Sequence, residues 1–290
     1  MKKYLFMLVA TMMASVGCTD RQFLEDSLAN NVPPAAEKGF AALIEQARWG
    51  DGQAFLKLAD CYRDGNGVEK DLVGMLCMAS QAEEFGGNIR MKDYLRELPE
   101  NSDFRTIFDA MEKAEGKRGD EARSMSEQLI ANGSPDGYTV QGVMAKASGD
   151  TIEGRRLMEH AASQGSSLAR IILCIPEFYG DTTTNVEMLK ALSDDKPFAN
   201  VILAKIYTGE DDEKLKDESL AAHYYLKADK NACLGKRGAR WLMNYHRCVS
   251  KLPLPERDIQ RIQMLAGDRP VVEPAVEGQD AVVADTIAAQ

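Results

Sequence analysis

Nowhere in this 290-residue chain do aromatic and β-branched residues alternate with polar ones over a sustained block, which argues against a sheet at the centre of the fold. The nearest approach, Ile171-Ile172-Leu173-Cys174-Ile175, is short enough for a strand, but it follows Ser-Ser-Leu-Ala-Arg and meets Pro176, a pattern that favours a buried helix stopped by proline. The apolar run from Tyr4 to Ala14 is too short to cross a bilayer. Histidine is scarce: His160, His223 and His246 are far apart and none stands in a His-Glu-x-x-His or Cys-x-x-Cys arrangement, so no metal and no cofactor is expected. There is no Gly-x-Ser-x-Gly elbow and no Walker sequence. Positive charge is in deficit, with 35 Lys and Arg against 45 Asp and Glu and a formal net charge of −10, which argues against nucleic acid as a partner.

What the chain does contain is helical punctuation. From Ala54 to Gly86 it reads as one helix-turn-helix unit. Ala54, Leu58 and Tyr62 recur every four residues with Ala59 and Cys61 beside them, an apolar stripe interrupted by small side chains and suited to close packing. Gly65-Asn66-Gly67-Val68 supplies residues that accept positive φ, with Val68 as an apolar anchor under the turn. Asp71 is placed to favour a helix N-terminus, and Leu72, Met75, Leu76, Ala79 and Ala82 resume the spacing before Gly86-Gly87.

The order Ala54, Leu58, Ala59, Tyr62, Gly65, Gly67, Val68, Asp71, Ala82, Gly86 resembles the Sel-one-like repeat, a relative of the tetratricopeptide repeat that builds solenoids of helical hairpins. Met75 and Met78 depart from it, standing where the family has a small residue and a large aromatic one, so a methionine-filled core is expected. The pattern returns as Ala199, Leu203, Ala204, Tyr207, Gly209, Asp217, Ala221, Tyr224 and Ala228, with a turn one residue longer in which Glu210 to Glu213 replace the second glycine and the valine. That turn is expected to be remodelled. Gly119 to Gly133 and Gly149 to Gly165 resemble only the second halves of repeats.

A hairpin of this kind cannot bury its apolar face alone, so the expected fold class is all-α, an α/α solenoid of stacked helical hairpins. Helices are expected near 36–49, 53–64, 70–85, 88–98, 103–115, 119–131, 136–147, 150–164, 166–175, 184–193, 198–208, 217–230, 232–248 and 256–266, within one elongated domain from 36 to 266. Residues 267–290 have no helical period and are expected to be a disordered tail.

The beginning of the chain reads as an address. Lys2 and Lys3, the apolar run and Ser15-Val16-Gly17 form a signal peptide over 1–17, and Gly17 before Cys18 resembles a bacterial lipoprotein signal, which implies diacylation of Cys18. Ser15-Val16-Gly17 also fits ordinary secretion without a lipid. Residues 18–35, ending in Pro33-Pro34, form a flexible tether. The expected location is the bacterial cell envelope, lipid-anchored, with the folded body in the periplasm or at the cell surface.

Of the 6 cysteines, Cys61, Cys77, Cys174, Cys233 and Cys248 lack the regular spacing of disulfide-stapled members of the resembled family. Cys61 and Cys77 lie on opposing helices of one unit and are candidates to meet. Ser193-Asp194-Asp195-Lys196 satisfies the Ser-x-x-Lys spacing of penicillin-recognising enzymes, but it precedes Pro197, follows an expected helix end and has no Lys-Thr-Gly or Ser-Asp-Asn companion. What remains is a surface. Stacked hairpins form a concave groove lined by the first helix of each pair, and by helical phase Lys57, Asp60 and Lys205 face away from the apolar stripes and are candidate lining residues. The resemblance implies adaptor work: a non-catalytic interaction scaffold whose partners are envelope proteins or peptides, touching the membrane through its lipid anchor and taking no small-molecule substrate. The alternative is a cell-wall-related enzyme or penicillin-recognising protein of the cysteine-rich repeat type.

Overall fold

The computed structural model describes residues 39–114, 118–174, 182–210, 212–248 and 252–267, with only the backbone of 182–185. The signal peptide, Cys18, the tether and the tail from 268 onward lie outside the described residues. Among the described residues the fold is all-helical, with no strand. We number the helices α1 (Phe40–Arg48), α2 (Gly52–Asp64), α3 (Leu72–Glu84), α4 (Met91–Arg96), α5 (Asp103–Ala114), α6 (Gly119–Ala131), α7 (Asp136–Ala147), α8 (Thr151–Ser163), α9 (Ser167–Leu173), α10 (Thr182–Leu192), α11 (Phe198–Tyr207), α12 (Glu218–Asp229), α13 (Gly235–Cys248) and α14 (Glu256–Ala266). Sequential neighbours pack as pairs, most extensively α2 with α3, α7 with α8, α11 with α12, α5 with α6 and α13 with α14.

The fourteen expected helices are all present, with shifted ends. The expected helix over 88–98 is trimmed to α4 because Asn88 takes φ 60°, and that over 232–248 starts three residues late because Ala232 takes φ 57°. The Ile171–Leu173 run is helical, as the closing turn of α9.

The α2–α3 unit is built as its residues dictate. Asp51 caps α2, accepting from the amides of Gln53 and Ala54 at 2.8 and 3.2 Å. Gly65, in the left-handed region at φ 80°, ends the helix and donates to the Cys61 carbonyl. Gly74 is required by contact: a Cβ there would lie 2.6 Å from the Tyr62 ring, so the glycine lets the tyrosine seat against α3. Helix α3 is buried from Leu72 to Ala82, with Met75 and Met78 at its centre, and an element apolar on all sides belongs inside a fold.

The second unit repeats this construction. The Asp71 amide donates to the Tyr62 carbonyl at 3.0 Å, and the Asp217 amide donates to the Tyr207 carbonyl at 2.9 Å. Each aspartate then caps the following helix, Asp71 with Val73 and Gly74, Asp217 with Leu220. The longer turn is remodelled into a short 3₁₀ helix, Glu213–Leu215, started by Asp212.

The array is not drawn out into a straight ribbon. Helix α3 lies against α9, α11 and α13, bringing the first repeat-like unit onto the second half of the chain. The first and last described helices also meet. Arg261 of α14 is 1% exposed and grips Asp229, at the end of α12, through two bonds of 2.7 and 2.5 Å, while donating to the Arg48 carbonyl at the end of α1 at 3.1 Å. Arg48 completes the clasp by donating to Asp229 at 3.1 Å. The Arg257 guanidinium covers the Trp49 ring at 5.4 Å. Among the described residues the first and last helices thus close on one another through this clasp. Helix α3 has apolar residues on every face, so α2 alone cannot cover it and α9, α11 and α13 complete the cover.

Candidate interaction surface

Lys57 and Asp60 sit one turn apart on α2, a helix that buries Ala54, Phe55, Leu58, Ala59 and Tyr62 and so turns residues 57 and 60 outward. Lys57 is exposed. Asp60 is committed: it accepts from the Tyr94 hydroxyl of α4 at 2.9 Å and from Arg63 at 2.6 Å. Burial, then the Asp60 charge, raises the Tyr94 phenol above its ordinary range and keeps it a donor to that carboxylate. Asp60 thus ties α2 to α4.

Lys205 has different surroundings. It stands on α11 in the wall of a narrow apolar cleft of about 60 Å³, where α3, α9, α11 and α12 meet the segment that opens α13. Val73, Leu76, Leu168, Ile171, Phe198 and Tyr225 make the cleft apolar, and no α2 residue lines it. At one end the polar groups of Gln81 and Glu84 meet Gly235, whose missing side chain leaves room for them: a Cβ there would lie 3.0 Å from the Gln81 amide nitrogen and 3.3 Å from Glu84 Oε2. Burial pushes the Glu84 carboxyl up to about 7, against the opposing pull of Lys236 and Arg240. Gln81 Oε1 and Glu84 Oε2 have no hydrogen-bond partner within the protein, and a protonated Glu84 is the form that fits beside a second acceptor.

A second, more polar cavity of about 230 Å³ opens on the other side of α3, floored by Phe40, Tyr62 and Phe198 and edged by Glu69, Asp71, Asp194, Asp195 and Lys196. Lys196 fills part of its charge requirement by bonding the buried Asp71 cap at 2.5 Å. This settles where the Ser193–Lys196 tetrapeptide puts its groups. The Lys196 ammonium goes to Asp71, and the neighbour of Ser193 Oγ is Lys227 of α12, at 3.1 Å. Lys227 also pairs with Asp194 at 2.5 Å.

The cysteines are also redistributed. All five described cysteines are free thiols. Cys61 lines neither cavity, whereas Cys77 and Cys233 line both. Cys77 therefore faces the segment between α12 and α13 rather than Cys61. The histidines have local partners: His160 packs edge-on to Tyr138, His223 edge-on to Tyr224, and His246 Nδ1 accepts from the Leu252 amide at 2.8 Å.

One surface feature escaped sequence reasoning. On α13, Trp241 and Tyr245 stack at 5.4 Å, Trp241 leans on Tyr225 at 5.5 Å, and both stacked rings are only half-buried. Their four-residue spacing is the signal that marks them, since aromatic residues at i and i+4 share a helical face. Half-exposed rigid aromatics flanked by arginine, here Arg237 and Arg240, are the residue types that anchor protein interfaces.

Among the described residues no group of three or more His, Cys, Asp or Glu is arranged to hold a metal, and no helix is long and apolar enough to cross a membrane. No protein-family model matches the chain, and the search of curated proteins found no match.

Proposed function

We propose that this protein is a non-catalytic scaffold that binds another protein, built from Sel-one-like helical hairpins and held at the bacterial cell envelope by a lipid on Cys18. The observation that carries the repeat reading is the duplicated hairpin joint. Tyr62 with Asp71 and Tyr207 with Asp217 make the same backbone bond, and each aspartate caps the helix that follows. A duplicated joint of this kind is what repeated helix-pair architectures use to set one unit against the next, and such architectures work by presenting surfaces. The acidic balance of the chain and the leader-like start support an envelope protein held by a lipid rather than by surface charge. The surface we assign to the partner comprises exposed Lys57 on α2 and the Trp241–Tyr245 ladder on α13. Asp60 belongs to the framework, and Lys205 belongs to the cleft.

The test is cross-linking affinity purification from native membranes with wild type, Lys57→Glu and a Trp241→Ala/Tyr245→Ala double variant, with mass spectrometry of the N-terminal peptide. Loss of the same partner in either variant, with folding intact by circular dichroism, supports the assignment. An unchanged partner set in both would overturn it. An unmodified Cys18 in mature protein would remove the anchor.

A further inference from the structure

We propose that Cys77 and Cys233 form a dithiol–disulfide site, a covalent latch between α3 and the segment joining α12 to α13. The two residues are 156 positions apart in sequence yet share two cavities: together with Phe198 they are the wall that separates the apolar cleft from the polar cavity. Both are 2% exposed. None of the other three described cysteines lines either cavity. The segment carrying Cys233 is held in place by the Cys233 amide, which donates to the Ala228 carbonyl at 3.0 Å, and by the Cys233 thiol, 3.4 Å from the Asn231 carbonyl. The facing thiol is therefore presented by a fixed turn on one side and a buried helix on the other.

The surroundings disfavour the Cys233 thiolate. Hydrogen bonding with the Cys77 thiol, then burial, then the charge of Asp229 raise the Cys233 thiol above the usual range. The groups around the pair are Tyr62 of α2, Asp71 before α3, Asp229 of α12 and the cations that share its two cavities, Lys196, Lys205 and Arg237. Lys196 is engaged by Asp71 at 2.5 Å, and none of the three cations is among the groups that shift Cys233. Oxidation accordingly needs a disulfide donor, either a small disulfide such as oxidised glutathione or the active-site disulfide of a dithiol oxidase. One cysteine thiolate attacks a donor sulfur, forming a mixed disulfide and releasing one donor thiolate. The second cysteine attacks that mixed disulfide at the first cysteine's sulfur, closing the Cys77–Cys233 bond and releasing the second donor thiolate. The protein loses two electrons and two protons, the donor gains two electrons, and the released thiolates take up the protons. Burial makes this slow in the closed fold and fast while the chain is still folding.

The inference rests on the shared cavity wall and not on the envelope reading, so it is tested on purified full-length chain. Reduced native protein and protein refolding from denaturant are each incubated with oxidised glutathione, quenched, alkylated in denaturant and mapped by mass spectrometry. The expected result is one intramolecular cross-linked peptide pair joining Cys77 to Cys233, formed faster during refolding, with the melting temperature raised by about 5 °C. Cys61→Ser should still form it, and Cys77→Ser and Cys233→Ser should each remain folded, lose the cross-link and lose the oxidant-dependent rise in melting temperature. A cross-link joining Cys61 to Cys77, or both Cys77 and Cys233 alkylated after oxidation by either route, would overturn the proposal.

Discussion

Removing Arg261 tests whether end-to-end closure is a main source of stability. Its guanidinium is 1% exposed and makes two bonds to Asp229, one to the Arg48 carbonyl and a longer one of 3.4 Å to Asp258, so Arg261→Met preserves bulk while deleting all four. The Asp229 side chain, 6% exposed, then keeps only Arg48, at 3.1 Å. Breaking a buried charge pair costs about 3–5 kcal/mol, mostly from the stranded charge, and the surviving Arg48 bond puts this case toward the lower figure. For a body of this size that is a fall in melting temperature of about 10 °C. Removing both charges in Asp229→Leu/Arg261→Met should recover most of the loss, because no carboxylate is left stranded and Arg48 retains Glu45 at 2.8 Å. Urea unfolding followed by far-ultraviolet circular dichroism measures both variants. An Arg261→Met loss below about 1 kcal/mol, or a double variant as unstable as the sum of the two single substitutions, would refute the reasoning.

Other outcomes follow from single groups. Because the Glu84 carboxyl is pushed up to about 7 from an ordinary 4.5, its contribution is fully present below pH 4.5 and is lost as pH rises through 7, a change of about 3 kcal/mol. Glu84→Gln should flatten that dependence and stabilise the protein at alkaline pH, and identical pH profiles in a thermal-melt series would contradict it. Asp71→Ala removes a buried cap and leaves Lys196 with Glu69 at 3.7 Å, costing about 3 kcal/mol, whereas Asp217→Ala removes an exposed cap and costs about 1 kcal/mol; equal losses in denaturant titrations would show that burial does not separate them. Gly74→Ala presses a methyl against Tyr62 and should destabilise by about 1–3 kcal/mol despite alanine's higher helix propensity, with a changed near-ultraviolet tyrosine signal as the check.

The helices were legible because each is bounded by local chemistry. Asp71 and Asp217 announce starts, Gly65 and Gly209 announce stops, and the stripes beside them have helical period. The remodelled turn was legible for the same reason, since Glu210 to Glu213 cannot replace a glycine and a valine without a new path. Closure was not legible. Arg48 and Asp229 are separated by 181 residues and Arg261 from Asp229 by 32, and each looks like an ordinary surface charge on an amphipathic helix. The surroundings of the candidate lining residues were not legible for the same reason. Helical phase places Asp60 away from the α2 stripe correctly but cannot show that Tyr94 of α4 arrives to meet it. Lys205 lies off its stripe too, yet the helices around α11 turn that side into a cleft wall. Periodicity reports one helix's own face, and neighbours decide whether that face sees water.

A set of helices whose first and last described members share the carboxylate of Asp229 resists a change in the number of pairs between them. Open arrays lengthen or shorten by whole modules, because a newcomer needs only one neighbour to rest on. Here an inserted or deleted pair between α1 and α14 would carry Arg261 away from Arg48 and Asp229 together, so a change of length would forfeit the clasp.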